Sequence, residues 1–305
     1  MQFQFQLSPR FAGLTAARFL QDVLQFSPLQ CKKIRLYGSL TIDGHIQRMK
    51  DPLPAEGLME LQDPDVIQGL RPVLLASGDP YRIYADDWFV VTQKPPGMLS
   101  HPNFHDPNPA MTEIVAEPPL RPVQRLDRDT SGLMLLARHA HAQYRFSQMN
   151  LKRRYLAFVH GLPLEDRGVI DKPIARNPGS GIERCISPQG KTARSRWRCL
   201  KRWPRARISL LELELETGRT HQLRLHCLSE GWPLVGETLY TADRRDLGLF
   251  PTGITLNTDI TLSRQALHAY YLGLIHPNAL DPRPMVFQAA LPDDLQDLLH
   301  QLEET

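Results

Sequence analysis

Arg125-Leu126-Asp127-Arg128-Asp129-Thr130-Ser131-Gly132 runs directly into the apolar stretch Leu133-Met134-Leu135-Leu136. Nearby positive charge favours the ionised form of a carboxylate, so an acid set between two arginines is held charged. An ionised Asp suits a core poorly but serves well as a nucleophile or general base. Asp-x-x-Ser-Gly spellings also build turns, because Asp and Ser bond their own backbone and Gly supplies positive φ. The octet therefore reads either as a charged carboxylate placed for chemistry or as an ordinary polar turn ahead of an apolar run.

Working outward, alternation is clear at Tyr84–Thr92. From there to about residue 293 strands and helices mix in irregular order. That order predicts an α+β fold rather than a βαβ repeat. Upstream, residues 15–26 place Phe19, Leu20, Val23 and Leu24 on one helical face. Ser27-Pro28 offers an N-cap and a first-turn proline, Gly38 a helix stop, and Lys32, Lys33 and Arg35 fall on this second helix. Leu40 and Ile42 then alternate into Asp43-Gly44, a hairpin signal, with Ile46 beyond. Residues 63–80 are rich in Pro, Gly and Asp. The organisation predicted is a small module at 1–62, a linker at 63–83 and a large domain at 84–305.

Lys191 to Arg207 reads KTARSRWRCLKRWPRAR, with eight basic residues, no acid, and Trp197 and Trp203 interleaved. Such a run is the footprint expected for a phosphate backbone. Arg194, Arg196 and Arg198 alternate with Ser195, Trp197 and Cys199, as on a strand with one charged face. Trp203-Pro204 suggests a turn, after which Arg205 and Arg207 alternate again. Apolar parity then changes, from Ile208 and Leu210 to Leu211, Leu213 and Leu215, which predicts a β-bulge within that strand. Gly218 turns the chain, and Thr220 is placed to cap a helix carrying Leu223, Cys227 and Leu228 up to Gly231.

The 305 residues, 42% hydrophobic and 23% charged, suit a soluble protein with one large and one small domain. A net charge of +3 demands no anionic partner by itself. Cys31, Cys185, Cys199 and Cys227 have no Cys-x-x-Cys spacing and read as free thiols of a reducing compartment. No apolar run approaches membrane-spanning length, so a cytoplasmic protein is expected. His139-x-His141 and His101-x-x-x-His105 lack a carboxylate or Cys to complete a ligand set, so no metal is expected.

Four segments in order make the chain resemble the RluA-type pseudouridine synthases. They are Gln93-Lys94-Pro95-Pro96-Gly97 to His101, the octet, Lys152-Arg153-Arg154-Tyr155 to Gly161, and Thr217-Gly218-Arg219-Thr220-His221-Gln222. Arg264 to Ala269 is similar too, so the likeness covers about residues 84–293. It implies an isomerase that detaches uracil from ribose, turns it and rejoins it through carbon. No cofactor is implied, and the partner would be structured RNA, ribosomal or transfer. Asp127 becomes the catalytic carboxylate, either attacking the anomeric carbon or removing a ribose proton. Arg219 matches the arginine that pairs with it, and alternatively contacts phosphate. Tyr155 stacks on the extruded base or relays its proton. Leu223 packs against the base, and Arg125 fills the vacated stack. Lys94 and His101 belong to the first segment, with Lys94 a possible structural support. Arg194, Arg196 and Arg198 are expected to contact phosphates. Residues 1–62 resemble an S4-type RNA-binding module. Gln124 stands where the family usually has His, Gln93 where it has Asn, Glu237 where it has Asp and Trp197 where it often has Tyr. The protein is expected to be a monomer; a non-catalytic RNA-binding protein on the same fold is the alternative.

Overall fold

The computed structural model describes residues 2–62, 80–103, 106–115, 120–241, 256–257 and 259–305. Most of the expected linker at 63–83 lies outside these, as does His105.

The N-terminal module opens with β1 (Gln2–Leu7), then a short α1 (Ala16–Arg18) that loosens into a π-turn at Phe19–Val23. The helical face expected at 15–26 forms, with Phe19 and Leu20 buried. In α2 (Pro28–Tyr37) the start follows a capping box: Ser27 accepts from the Gln30 amide and Gln30 returns a bond to the Ser27 amide. Strands β2 (Ser39–Ile42) and β3 (His45–Ile46) close on Asp43-Gly44, both at positive φ as a type I′ turn requires. With β4 (Gly57–Gln62) these make a four-stranded sheet in the order β1-β4-β2-β3.

The large domain is α+β, built on one mixed, mainly antiparallel sheet. Along its path the order is β10-β13-β14-β9-β15-β8-β6-β5. The strands are β5 (Arg82–Ala85), β6 (Phe89–Lys94), β8 (Ser131–Ala137) and β9 (Lys152–His160). Beyond them run β10 (Arg167–Asp171), β13 (Arg194–Trp203), β14 (Ile208–Leu215) and β15 (Leu267–Ile275). Short β7 (Arg121–Pro122) and β16 (Pro284–Gln288) flank β8 and β15, while β11 (Ile174–Arg176) pairs β12 (Arg184–Ile186) separately. Helices α3 (Met111–Ile114), α4 (Ala140–Ser147), α5 (Gln222–Ser229) and α6 (Asp293–Glu303) cover the sheet. The apolar run after the octet is β8, buried at all seven positions because helices and loops cover both its faces. Its pairing with β15 is parallel, and at Gly132 (φ +115°) an added Cβ would lie 2.2 Å from the Ala269 carbonyl oxygen. Only glycine allows that approach.

Two local expectations are corrected. The bulge is not in β14, whose register with β9 is continuous, but on β13, where Leu200 is the extra residue between Cys199 and Lys201. The parity change in β14 reflects cover. Ile208 packs with Phe158, Trp203 and α6 on one face, and Leu211, Leu213 and Leu215 with Tyr155 and Trp197 on the other. Arg205 and Arg207 fall in the turn joining β13 to β14, not on a strand.

The N-terminal module sits against the large domain through aromatic rings. Phe26 stacks on His141 at 3.7 Å, and Phe3 meets His139 edge-on at 5.1 Å and Trp88 at 6.2 Å. The two histidines thus form a domain seam. Burial pulls both imidazoles down to about 3, and His268 to about 4. Below the ordinary imidazole value of 6.5 the unfolded chain takes up protons that the folded chain refuses. Stability is therefore fully present above that value and lost as pH falls. The melting temperature should decline steadily between about pH 6.5 and pH 4.5. His141→Phe, which keeps a ring on Phe26, should make the decline shallower. A wild-type melting temperature independent of pH over that window would contradict a neutral seam.

Candidate active site

Asp127 lies in the turn between β7 and β8, and its neighbours are clamped. Ser100 Oγ accepts from the Leu126 amide at 2.9 Å and donates to the Leu126 carbonyl at 2.7 Å. On the other side, Lys94 Nζ donates to the carbonyls of Arg128, Met98 and Pro95 at 2.6, 2.7 and 2.9 Å. Burial pulls the Lys94 ammonium down to about 7, while the charges of Asp129 and Asp127 oppose that. Three accepting carbonyls match the three donors of the charged ammonium, the form that this geometry requires. Arg264 donates to the Asp129 carbonyl at 3.0 Å and is braced by Asp294 of α6 at 2.6 Å. Gln265 reaches Thr130 Oγ1 at 3.3 Å. Lys94 thus supports the loop and does not line the cleft. His101 is exposed, also away from the cleft lining.

The cleft at Asp127 measures about 50 Å³ and is bordered by Arg125, Tyr155, Leu215, Arg219, Leu223 and Leu267, among others. Leu223 is buried and Arg125 exposed at its rim. Tyr155 presents a buried ring from β9, directly opposite Leu213 of β14. Burial raises its phenol to about 12; Arg153 opposes this and the Asp127 charge adds to it. The hydroxyl is therefore protonated at neutral pH.

Arg219 does not hold Asp127. Its Nε donates to the Thr192 carbonyl at 3.0 Å and its side chain is exposed at the cleft mouth. Arg224, one turn into α5, donates from Nη1 to Asp127 Oδ2 at 3.4 Å. Arg224 is buried against Glu237, whose carboxylate takes both Nε, at 2.8 Å, and Nη2. The amides of Leu239 and Tyr240 also donate to Glu237, and the guanidinium lies over the Tyr240 ring at 5.2 Å. Burial alone would lower the pKa of Arg224, but the bonds and charges of Glu237 and Asp127 raise it on balance. Glu237 is held below its usual range: burial pushes it up, and the bonds from Arg224 overcome that. His221 places Nε2 4.0 Å from Asp127 and Nδ1 2.7 Å from the Tyr240 hydroxyl. Sequence reasoning missed Arg224, His221 and Tyr240. Two arginines five residues apart were both visible, and only the helix start decides which turns inward.

That start differs from expectation. Thr220 does not cap α5; the N-cap is His221, at φ +57° with no side-chain cap bond. The turn is held instead by Gln222. Its Oε1 accepts from Thr217 Oγ1 and the Arg219 amide, and its Nε2 donates to the Arg194 carbonyl and Ser195 Oγ. Backbone strain of this kind persists where surroundings over-determine it.

The basic strand alternates as expected. Alternation puts Trp197 on the Tyr155 face, so Arg196 and Arg198 project from the opposite face, away from Asp127. They meet the glutamates of β14 and the turn after it: Arg196–Glu216 at 2.5 Å, Arg198–Glu212 at 3.2 Å and Arg194–Glu216 at 3.4 Å. Cross-strand pairing neutralises much of the stripe.

Residues 88–229 match the family model described as RNA pseudouridylate synthase. An RNA pseudouridine synthase of Chloroflexus aurantiacus is 37% identical over 302 residues, covering 94% of this chain and 89% of that one. The ribosomal large subunit pseudouridine synthase D of Xanthomonas campestris pv. campestris is 33% identical, covering 88% and 82%. The solved human RNA pseudouridylate synthase domain containing 1 is 25% identical with a TM-score of 0.50, over 74% of this chain and 95% of that one. The chain belongs to the RNA pseudouridylate synthase family. Among the described residues no helix is long and apolar enough to cross a membrane.

Removing one partner of a buried ion pair strands the other, at about 3–5 kcal/mol. Arg224→Gln should lose about that much in urea denaturation, because Glu237 is left charged in the interior. The double variant Arg224→Met/Glu237→Leu should recover part of the loss. Strict additivity of the two single changes would show that the pair is not coupled.

Proposed function

We propose that this protein converts uridine to pseudouridine in large-subunit ribosomal RNA, with Asp127 as the carboxylate that acts on the ribose. One observation carries the reading: Asp127 stands in a cleft beside a buried tyrosine, directed by a buried arginine that is itself charge-balanced by Glu237. A carboxylate with fixed direction is the group needed to break or activate a bond at the sugar. The protonated Tyr155 offers its ring to the extruded base and its hydroxyl as a donor. The reaction is an isomerisation and balances without oxidant or co-substrate. The name of the Xanthomonas relative supports ribosomal over transfer RNA as substrate. The N-terminal module is proposed as a second RNA contact, of S4 type, because α2 presents Lys32 and Arg35 to solvent.

Tritium release from ribosomal RNA labelled with [5-³H]uridine tests the chemistry. Asp127→Asn should abolish release while retaining RNA binding; turnover near wild type would remove Asp127 from its role. Arg224→Lys should lower kcat by at least about a hundredfold, since misplacement of a reacting group by about 1 Å costs that much. Arg219→Gln should chiefly raise KM.

The salt dependence of RNA affinity separates the two groups of arginines. Neutralising Arg194, Arg196 and Arg198 together should leave the slope of log affinity against log salt close to wild type. Neutralising Arg125 and Arg219 should flatten it by up to about 1.4, at about 0.7 for each single-strand phosphate contact. The reverse pattern would return the phosphate path to the β13 stripe.

A further inference from the structure

Beside the catalytic cleft lies a hollow of about 510 Å³, bordered by Val123, Gln143, Tyr144, Asn150, Arg153 and Glu216. Its lining residues are neighbours of cleft-lining residues along the chain in three places. Arg153 and Tyr155 lie on one face of β9, two residues apart, a step of roughly 7 Å. Val123 is two residues before Arg125, and Glu216 follows Leu215.

Its chemistry is that of a nucleotide site. Arg153 has no ion pair among the described residues; its Nε is buried without a hydrogen bond, and its guanidinium lies against Gly218 in the turn before α5. Glu216 brings no net repulsion, because Arg196 and Arg194 hold its carboxylate. The half-buried Tyr144 has no ring partner among the described residues. The Gln143 amide nitrogen donates to the Pro122 carbonyl at 3.1 Å, which fixes how its carbonyl oxygen points. Asn150 is exposed at the rim. An unshared guanidinium, a half-buried tyrosine ring and amide groups at the edge suit a phosphate, a base plane and a base edge respectively.

We propose that this hollow seats the nucleotide adjoining the target uridine, with Arg153 on the connecting phosphate and Tyr144 stacked on the neighbouring base. The inference rests on the pseudouridine-forming reading above and extends it. The flanking base, and not only the target, helps decide which uridine reacts.

The test uses the full-length protein and its Tyr144→Ala, Tyr144→Phe and Arg153→Gln variants. Ribosomal RNA labelled with [5-³H]uridine gives the rates and the position modified. A synthetic RNA spanning that position, with the nucleotide on either side made abasic in turn, gives the coupling. Tyr144→Ala should raise KM between about five- and a hundredfold, the range spanned by a single base–aromatic stack. kcat should stay within about twofold, and Tyr144→Phe should restore the wild-type KM. Arg153→Gln should raise KM as well. One of the two abasic substitutions should cost the wild-type protein the same factor and cost Tyr144→Ala nothing more. If the wild-type protein is active and Tyr144→Ala keeps its KM, the hollow is not a nucleotide site. Nor is it one if neither abasic penalty shrinks in Tyr144→Ala. If the wild-type protein releases no tritium at all, the catalytic reading itself falls, and the hollow with it.

Discussion

The bond from Arg224 to Asp127 depends on Glu237. A guanidinium buried beside only a partly exposed carboxylate would carry an uncompensated desolvation cost, because arginine keeps its charge. Glu237 takes two of its nitrogens, and two backbone amides in turn hold Glu237. The arginine is thereby anchored on one side and has one nitrogen left for the catalytic candidate. A lysine, with a compact ammonium and no planar fork, could not serve both carboxylates from one fixed orientation. Charge balance in the interior is what allows a directed charge at its edge.

The rest of the site follows from holding Asp127 still. Two segments far apart in sequence grip its loop. Lys94 and Ser100 come from the end of β6 and the turn beyond, and Arg264 and Gln265 from the approach to β15. The parallel contact of β8 with β15, made possible by Gly132, brings those last two residues to the loop. Lys94 shows how a charged residue can be fully buried when backbone carbonyls take all its donors. Its three donors replace the hydrogen bonds that water would have made with the loop carbonyls. The segment Arg264 to Ala269, which looked like family sequence with no role attached, is the outer brace of the loop.

Charge along the sheet divides by face. The odd residues of β9, β13 and β14 carry Tyr155, Trp197 and Leu213 into the core that borders the cleft. The even ones carry arginines and glutamates in register on the other face. The conspicuous basic run is therefore largely answered by the acidic strand beside it. Arg125 and Arg219, at the cleft, carry no ion pair among the described residues.

Much was legible in the sequence because it depends on spacing alone. The N-cap at Ser27, the turn at Asp43-Gly44, the alternation of β13 and the α+β order all arise from neighbours a few residues apart. The residue types at Asp127, Tyr155 and Leu223 were legible through their motifs, and all three border one cleft. Tertiary structure alone decided three things. It chose Arg224 over Arg219, because His221 at positive φ sets the phase of α5 and turns one arginine inward and the other out. It put the basic stripe on the far face, because alternation defines two faces without saying which one a helix will cover. It made His139 and His141 a domain seam, because their partners Phe3 and Phe26 lie more than a hundred residues away. Local chemistry is written in the chain, but which side faces the core, and what balances a buried charge, is settled only when distant segments meet.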